Sequence, residues 1–282
     1  MSSFIFTGGD KRMLYAAERL GRAAVCGFEK ITSCADIYNE NKKYNYAVLP
    51  LLKSKDGITI PCPFSDQNIP FSALGNIVKK GGTVFAAFGS PELEKVCTEN
   101  ELSLENYLKR EELAIMNAIP TAEGAVAIAI NESNITVFGA DVLITGFGRI
   151  AKILARCLVC MGANVTIACR KAQDRCWADI YGCNTVDITD INTFSKAVRT
   201  AQFIFNTVPS GVFNSNVLNG IKNETLYIEL ASTDGITGEI SQNLKVITAR
   251  GLPGKVAPIT AGKIIADTIT NILSERSDTD DN

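Results

Sequence analysis

The chain reads as an α/β protein of two domains, the second a doubly wound parallel sheet of Rossmann type. Three observations predict this. Short apolar runs alternate with stretches of helical period along most of the 282 residues. A Gly146-Phe147-Gly148-Arg149-Ile150-Ala151 segment lies between one such run and a helical stripe, and a second apolar run follows at βαβ spacing. The length also suits two domains of roughly 100–200 residues, each able to bury a core.

In the first domain Phe4–Thr7 is a short strand running into Gly8-Gly9-Asp10, after which Met13, Leu14, Ala17 and Leu20 share one helical face. The Gly8-Gly9-Asp10 turn at a helix start suits an anion, or serves simply as a strand-to-helix turn. Ala23–Phe28 and Tyr46–Leu52 read as strands, the second closing at Pro50. Residues 53–70 hold three prolines and no helical period, which predicts a loop. Ile77–Lys80 ends a helix at Gly81-Gly82, and Thr83–Phe88 is the next strand. Residues 101–119 are helical in composition and stop at Pro120; Thr121 then caps a new helix that carries Glu123 in its first turn.

The second domain opens with the strand Asp141–Thr145. A helix with Ile153, Leu154, Cys157, Leu158 and Met161 on one stripe follows, then the strand Asn164–Cys169. Further strands are Thr185–Ile188, Phe203–Thr207, Leu226–Leu230 and Lys245–Thr248. Lys263–Leu273 is amphipathic, and the ending SERSDTDDN is polar and acidic. These readings place one domain at 1–119 and a second at 120–259. A C-terminal helix over 260–277 is expected to pack back on the first domain, ahead of a disordered tail at 278–282.

Composition narrows the function. Twenty-eight Lys and Arg against 30 Asp and Glu leave a charge of −2, and 46% of residues are hydrophobic, which argues against a nucleic-acid footprint and against disorder. No stretch approaches the roughly 18 apolar residues of a membrane span. The N-terminal MSSFIFTGGDKR lacks the pattern of a signal peptide, so the cytoplasm is the expected location. The nine scattered cysteines (26, 34, 62, 97, 157, 160, 169, 176, 183) then read as reduced thiols that pack as small hydrophobes. Cys157 and Cys160 form a CxxC in a helical stretch; with no second pair at ribbon spacing and no histidine, no metal site is expected. Histidine is absent altogether, which excludes Ser-His-Asp and Cys-His relays and a histidine base.

The glycine segment carries the most specific chemistry. Gly146 permits a tight turn, Gly148 lets backbone approach a pyrophosphate, and Ala151 allows close helix-on-strand packing. With Thr145 ending the strand and Arg149 and Ile150 opening the helix, these form a candidate cofactor cradle whose N–H groups and dipole favour phosphate. Where an acidic residue would bind the ribose hydroxyl of NAD, the chain has Arg170 and Lys171, which suit the 2′-phosphate of NADP. Thr207, Val208, Pro209 and Ser210, with Ala231 and Ser232, end later strands and are expected to line the nicotinamide half.

Several segments resemble the dipicolinate synthase A subunits of endospore-forming bacteria. They are Gly8–Arg12, Asn117–Ala125, the Gly146–Ala151 fingerprint, Asn206–Pro209, and Gly251–Pro258 with Thr260–Gly262; Arg250, just ahead of Gly251, stands where a smaller residue is expected. The resemblance implies a flavodoxin-like first domain, as in D-2-hydroxyacid dehydrogenases. It also implies NADP-linked oxidation of dihydrodipicolinate to dipicolinate in the mother-cell cytoplasm, in partnership with a smaller, flavoprotein-like B subunit. A homodimer through the Rossmann domain is a further allowed assembly. The missing histidine fits this reaction better than alcohol oxidation. A dihydropyridine that loses a hydride and a proton becomes aromatic, so a weak base suffices. Glu123 is the candidate proton acceptor, and Arg12, Thr121, Ser210, Ser232 and Lys255 are candidate grips for the small dicarboxylate. A non-catalytic NADP-binding subunit that regulates the complex would keep the same fingerprint, so that reading stays open.

Overall fold

The computed structural model describes residues 3–21, 23–31, 42–222, 224–239 and 244–280. The chain divides into two compact units, Met1–Asn117 with Ala257–Asn282, and Ala118–Val256.

The strands of the first unit are β1 (Phe4–Thr7), β2 (Ala24–Cys26), β3 (Tyr44–Val48), β4 (Thr59–Ile60), β5 (Ile69–Pro70), β6 (Val78–Ala86) and β7 (Ser103–Asn106). Its helices are α1 (Lys11–Leu20), α2 (Leu74–Ile77) and α3 (Pro91–Glu99), and α4 (Glu111–Glu132) starts in this unit and ends in the next. Five strands form an all-parallel sheet in the order β2-β1-β3-β6-β7. Counted within the sheet this is the flavodoxin-like order 2-1-3-4-5. Because strand side chains alternate between faces, Ile5, Ala47 and Val84 enter one apolar layer while Phe6, Val48 and Phe85 enter the other.

Four expectations for this unit are corrected. Residues 53–70 are not all loop, since β4 and β5 pair antiparallel within them. Gly81-Gly82 does not follow a helix that ends at Lys80: α2 stops at Ile77, and the glycines lie inside β6 where the register to β3 shifts. A Cβ on Gly82 would meet the Asn45 carbonyl at 2.6 Å, so the glycine is needed for close strand approach. Ser103–Asn106 is an edge strand rather than the start of a helix, with Leu104 packed on the apolar layer. Finally, α4 does not stop at Pro120 but runs 22 residues through it. Leu113 is buried in the first unit's core, and Ala122, Ala125, Val126 and Ala129 in the second's. That burial on both sides of the proline outweighs the one backbone hydrogen bond the ring removes. The continuous helix is also long and apolar enough by length and composition to cross a membrane, contrary to expectation. Leu113, Ala118, Ala122, Ala125, Val126 and Ala129 of this helix are buried, whereas Ile115, Met116 and Ile130 are exposed.

The second unit holds β8 (Asp141–Thr145), α5 (Arg149–Cys160), β9 (Asn164–Cys169), α6 (Ala172–Ile180), β10 (Asn184–Asp187), α7 (Ile191–Thr200) and β11 (Phe203–Asn206). It continues through α8 (Ser215–Leu218), β12 (Thr225–Glu229), β13 (Leu244–Thr248) and α9 (Leu252–Val256). The six strands are all parallel in the order β10-β9-β8-β11-β12-β13, the doubly wound dinucleotide-binding order. The order reverses between β8 and β11, which opens a crevice at their carboxyl ends. Val142, Ile144, Phe203, Phe205, Leu226 and Ile228 fill one face, while Leu143, Ile204 and Tyr227 fill the other.

The last helix, α10 (Pro258–Asp280), belongs to the first unit and packs Ile264, Ile265, Ile269 and Ile272 beside Met13, Ala16 and Ala17 of α1. It is tied further by Arg110 to Glu275 and by Arg276 to Glu105. The polar stretch expected to be disordered is helical as far as Asp280; residues 281–282 lie outside the described residues. The thiols also differ from expectation. Cys62, Cys97, Cys169 and Cys183 are buried, Cys26 and Cys157 are partly covered, and Cys160 and Cys176 are exposed; Cys34 lies outside the described residues.

Candidate functional site

At the end of β8 the backbone turns at Gly146 with φ +81°, a left-handed conformation open to glycine, and a Cβ there would meet Thr207 Oγ1 at 2.8 Å. Gly148 is the N-cap of α5, has no capping side chain, and would place a Cβ in open space. The helix start therefore presents first-turn N–H groups that its N-cap residue leaves uncapped, the arrangement that receives a phosphate. Ala151 is fully buried beneath, where only a small residue fits.

A cavity of about 400 Å³ lies at this turn. It brings together five of the residues singled out from the sequence: Gly146, Arg170, Lys171, Val208 and Ser210. Phe147, Asp174 and Thr189 complete part of its wall. Arg170 and Lys171 are exposed, and neither forms an ion pair with a described residue. The turn that carries them is held by Arg175, whose Nη1 donates to the Cys169 and Arg170 carbonyls and pairs with Asp187. Two cations are thus presented at the end of β9 while a third fixes the backbone beneath them. The residues fit a dinucleotide bearing a phosphate at that end.

Other predicted cofactor residues act from below. Thr145 is fully buried and its hydroxyl donates to Asn206 Oδ1 at 2.6 Å. Thr207 is half-buried, its hydroxyl donating to the Thr145 carbonyl at 2.7 Å. Ala231 is buried, and its N–H donates to Glu229. Ile150 packs on the apolar core, whereas Arg149, Pro209 and Ser232 are exposed.

The candidate catalytic residues fall in two places. Thr121 and Glu123 sit inside α4, so Thr121 is not a helix cap and the helix offers no free N–H donors there, contrary to expectation. Glu123 is exposed; beside it, Gly124 lets α9 approach, a Cβ at that glycine meeting Val256 and Leu252 side chains at 3.2–3.3 Å. Lys255 is exposed on α9, so the same close approach brings its helix and that of Glu123 together. Burial, then the nearby Glu123 charge, pushes the Cys157 thiol up. Arg12 lies in the first unit, 8% exposed, with Nε and Nη2 engaged by Asp10, the N-cap of α1. The N–H groups of Gly8 and Gly9 donate to the carbonyls of Cys26 and Pro61, so the double-glycine turn is occupied by its own fold.

The sequence reading missed a buried carboxylate. Glu229, 2% exposed at the end of β12, accepts four hydrogen bonds, from Asn206 Nδ2, the Tyr227 hydroxyl, and the Ala231 and Gly235 N–H groups. Burial and the adjacent Glu229 charge drive the Tyr227 phenol far above its usual range. Arg250 holds the outside of the same loop, Nε donating to the Ala231 carbonyl and Nη2 to Asp234. The available signal was a glutamate and an asparagine ending otherwise apolar strands, since a polar group placed there must find partners.

A doubly wound parallel sheet with a bare glycine turn at its switch point, in a chain that carries a second parallel α/β unit, defines the dinucleotide-binding dehydrogenase class of fold. Comparison with known proteins agrees. Residues 3–108 match the model of the N-terminal domain of the dipicolinate synthase A subunit. The A subunit of dipicolinate synthase from Bacillus subtilis is 32% identical over 197 residues, which cover 68% of this chain and 65% of that protein, just under two thirds of its length. The crystal structure of the dipicolinate synthase A subunit from Bacillus halodurans superposes with a TM-score of 0.80 at 26% identity, covering 96% of this chain and 97% of that one. The transhydrogenase of Sinorhizobium meliloti shares the fold alone, with a TM-score of 0.68 at 11% identity over 97% of this chain and 94% of its own. In sequence and in fold the chain is similar to dipicolinate synthase A subunits, and its residues 3–108 match that family's N-terminal domain.

Proposed function

We propose that the protein is the NADP-dependent subunit that oxidises dihydrodipicolinate to dipicolinate, working in the cytoplasm of a sporulating mother cell with a flavoprotein-like B subunit. The observation that carries this is the bare Gly148 at the α5 N-terminus beside a cavity lined by Arg170 and Lys171. Gly148 and the first turn of α5 would hold the pyrophosphate, and the two cations the 2′-phosphate. NADP bound there supplies a two-electron hydride acceptor.

The substrate ring gives up one hydride and one proton, and the product is an aromatic pyridine dicarboxylate. Glu123 takes the ring proton; its carboxylate stands exposed on α4, and aromatisation removes the need for a stronger base. Lys255 and the Ser210, Ser232 and Thr121 hydroxyls grip and orient the two substrate carboxylates.

The test follows NADPH absorbance with dihydrodipicolinate and NADP for this chain by itself, for the B subunit by itself, and for both together. NADPH formation that requires this chain supports the reading. No turnover in any combination overturns it in favour of a non-catalytic nucleotide-binding subunit. Glu123→Gln is expected to lower turnover at saturating NADP; full turnover would overturn its assignment as the proton acceptor.

A further inference from the structure

We propose that Glu229 is a positioning residue of the dinucleotide site, setting the loop after β11 and, beyond it, the loop after β12 that receives the nicotinamide half. This rests on the reading of the cavity as a dinucleotide site.

The carboxyl ends of three neighbouring strands are joined by one buried chain of hydrogen bonds. Thr145 of β8 donates to Asn206 of β11, and Asn206 Nδ2 donates to Glu229 Oε1 of β12 at 2.8 Å. Asn206 also accepts from the Val208 N–H and donates to the Val208 carbonyl, which shapes the loop after β11. Glu229 reaches forward to the loop after β12, accepting from Ala231 N at 3.0 Å and from Gly235 N at 2.7 Å. Gly235 closes the arrangement: a Cβ there would overlap Asn206 Nδ2 and lie 2.7 Å from Tyr227 Oη, so the loop descends onto the network and only glycine allows it. The two loops are then stitched to each other, Phe213 N donating to the Gly235 carbonyl and Thr237 N to the Phe213 carbonyl.

Topology says what these loops serve. With the pyrophosphate at Gly148 and the adenosine end toward Arg170 just after β9, the other half of the dinucleotide runs across β11 toward β12. The loop after β11 also lines the cavity of Arg170 and Lys171 through Val208 and Ser210, and the loop after β12 lies on the nicotinamide side. Glu229 itself is no candidate base, because its two oxygens already accept four donors in a buried place. Its charge matters through its geometry, since both oxygens must accept. An amide in its place turns one acceptor into a donor. The Tyr227 hydroxyl can rotate to accommodate that, whereas the N–H of Gly235, or those of Ala231 and Asn206 in the flipped rotamer, cannot.

Glu229→Gln in the full-length chain is therefore titrated with two probes, NADPH and adenosine 2′,5′-bisphosphate, which lacks the nicotinamide half. The expected result is NADPH binding about tenfold weaker, corresponding to one lost charge-assisted hydrogen bond, with the bisphosphate changed less than about twofold. Tyr227→Phe, which removes one donor and keeps the carboxylate, moves NADPH affinity in the same direction by a smaller factor and decides the matter if Glu229→Gln does not fold. Unchanged NADPH affinity overturns the proposal, as does proportional weakening of both probes, which marks a merely structural role. A wild-type chain that binds neither probe overturns the underlying dinucleotide reading and this inference with it.

Discussion

At Gly148 a single absent side chain decides access to the helix start. A Cβ there clashes with nothing in the fold, so Gly148→Ala is expected to leave the melting temperature within about 2 °C while weakening NADPH binding about tenfold or more. Fluorescence titration beside a thermal melt checks both halves, and unchanged affinity would remove Gly148 from the cradle. Arg170 and Lys171 stand at the next strand end without carboxylate partners among the described residues. Replacing both with alanine is expected to weaken NADPH binding about 10–100-fold and NADH binding little, erasing the preference. Legibility at this scale was uneven. The glycine turn and the cations were readable because backbone freedom and charge at a strand end act locally. Arg12 was read as a substrate grip, yet its guanidinium lies against Asp10 two residues earlier, a pairing that depends on how α1 starts.

Among the elements, α1 and α10 approach so closely that a Cβ on Gly262 would meet the Arg12 carbonyl at 2.6 Å and Tyr15 Cβ at 2.7 Å. Gly262→Ala is therefore expected to lower stability by about 1–3 kcal/mol, because two helices must part to admit one methyl group. A denaturant midpoint equal to that of the wild type would refute this. The long helix α4 shows why local rules mislead. Pro120 is a sound stop signal for an isolated helix, but Ala118 and Ala122 are buried on either side of it. Packing on two cores supplies what the missing N–H takes away. The end of the chain repeats the lesson, since Ser274–Asp280 is polar enough to read as disordered but continues a helix already anchored by Ile264, Ile269 and Ile272.

For the whole molecule, two linkages follow. Burial pushes the Cys97, Cys169 and Cys183 thiols up to about 11, so the folded chain holds these protons where the unfolded chain, titrating near 9.0, releases them. The stability they contribute is fully present below the unfolded value and is lost as pH rises from about 9 toward 11. Denaturation midpoints are expected to fall between about pH 8 and pH 10, and a midpoint that holds steady across that interval would contradict the burial of these thiols. Ligand linkage acts in the opposite direction. NADPH at a hundredfold excess over its Kd is expected to stabilise the folded chain by about 2.7 kcal/mol, visible as a concentration-dependent rise in melting temperature that NADH at equal concentration does not match. Equal shifts by the two cofactors would refute the preference assigned to Arg170 and Lys171.

The sequence by itself determined the α/β class, the doubly wound second sheet, the glycine turn and the cationic strand end. Each depends on periodicity or on residues within one βαβ unit, where local geometry follows directly from residue type. The tertiary structure alone decided that α4 passes through Pro120 and that Glu229 sits beneath two loops. Glu229 shows the reason most plainly. Its four donors lie at positions 206, 227, 231 and 235, and the first of them reaches it only because β11 and β12 pair side by side. No periodicity within one strand encodes a partner supplied by another.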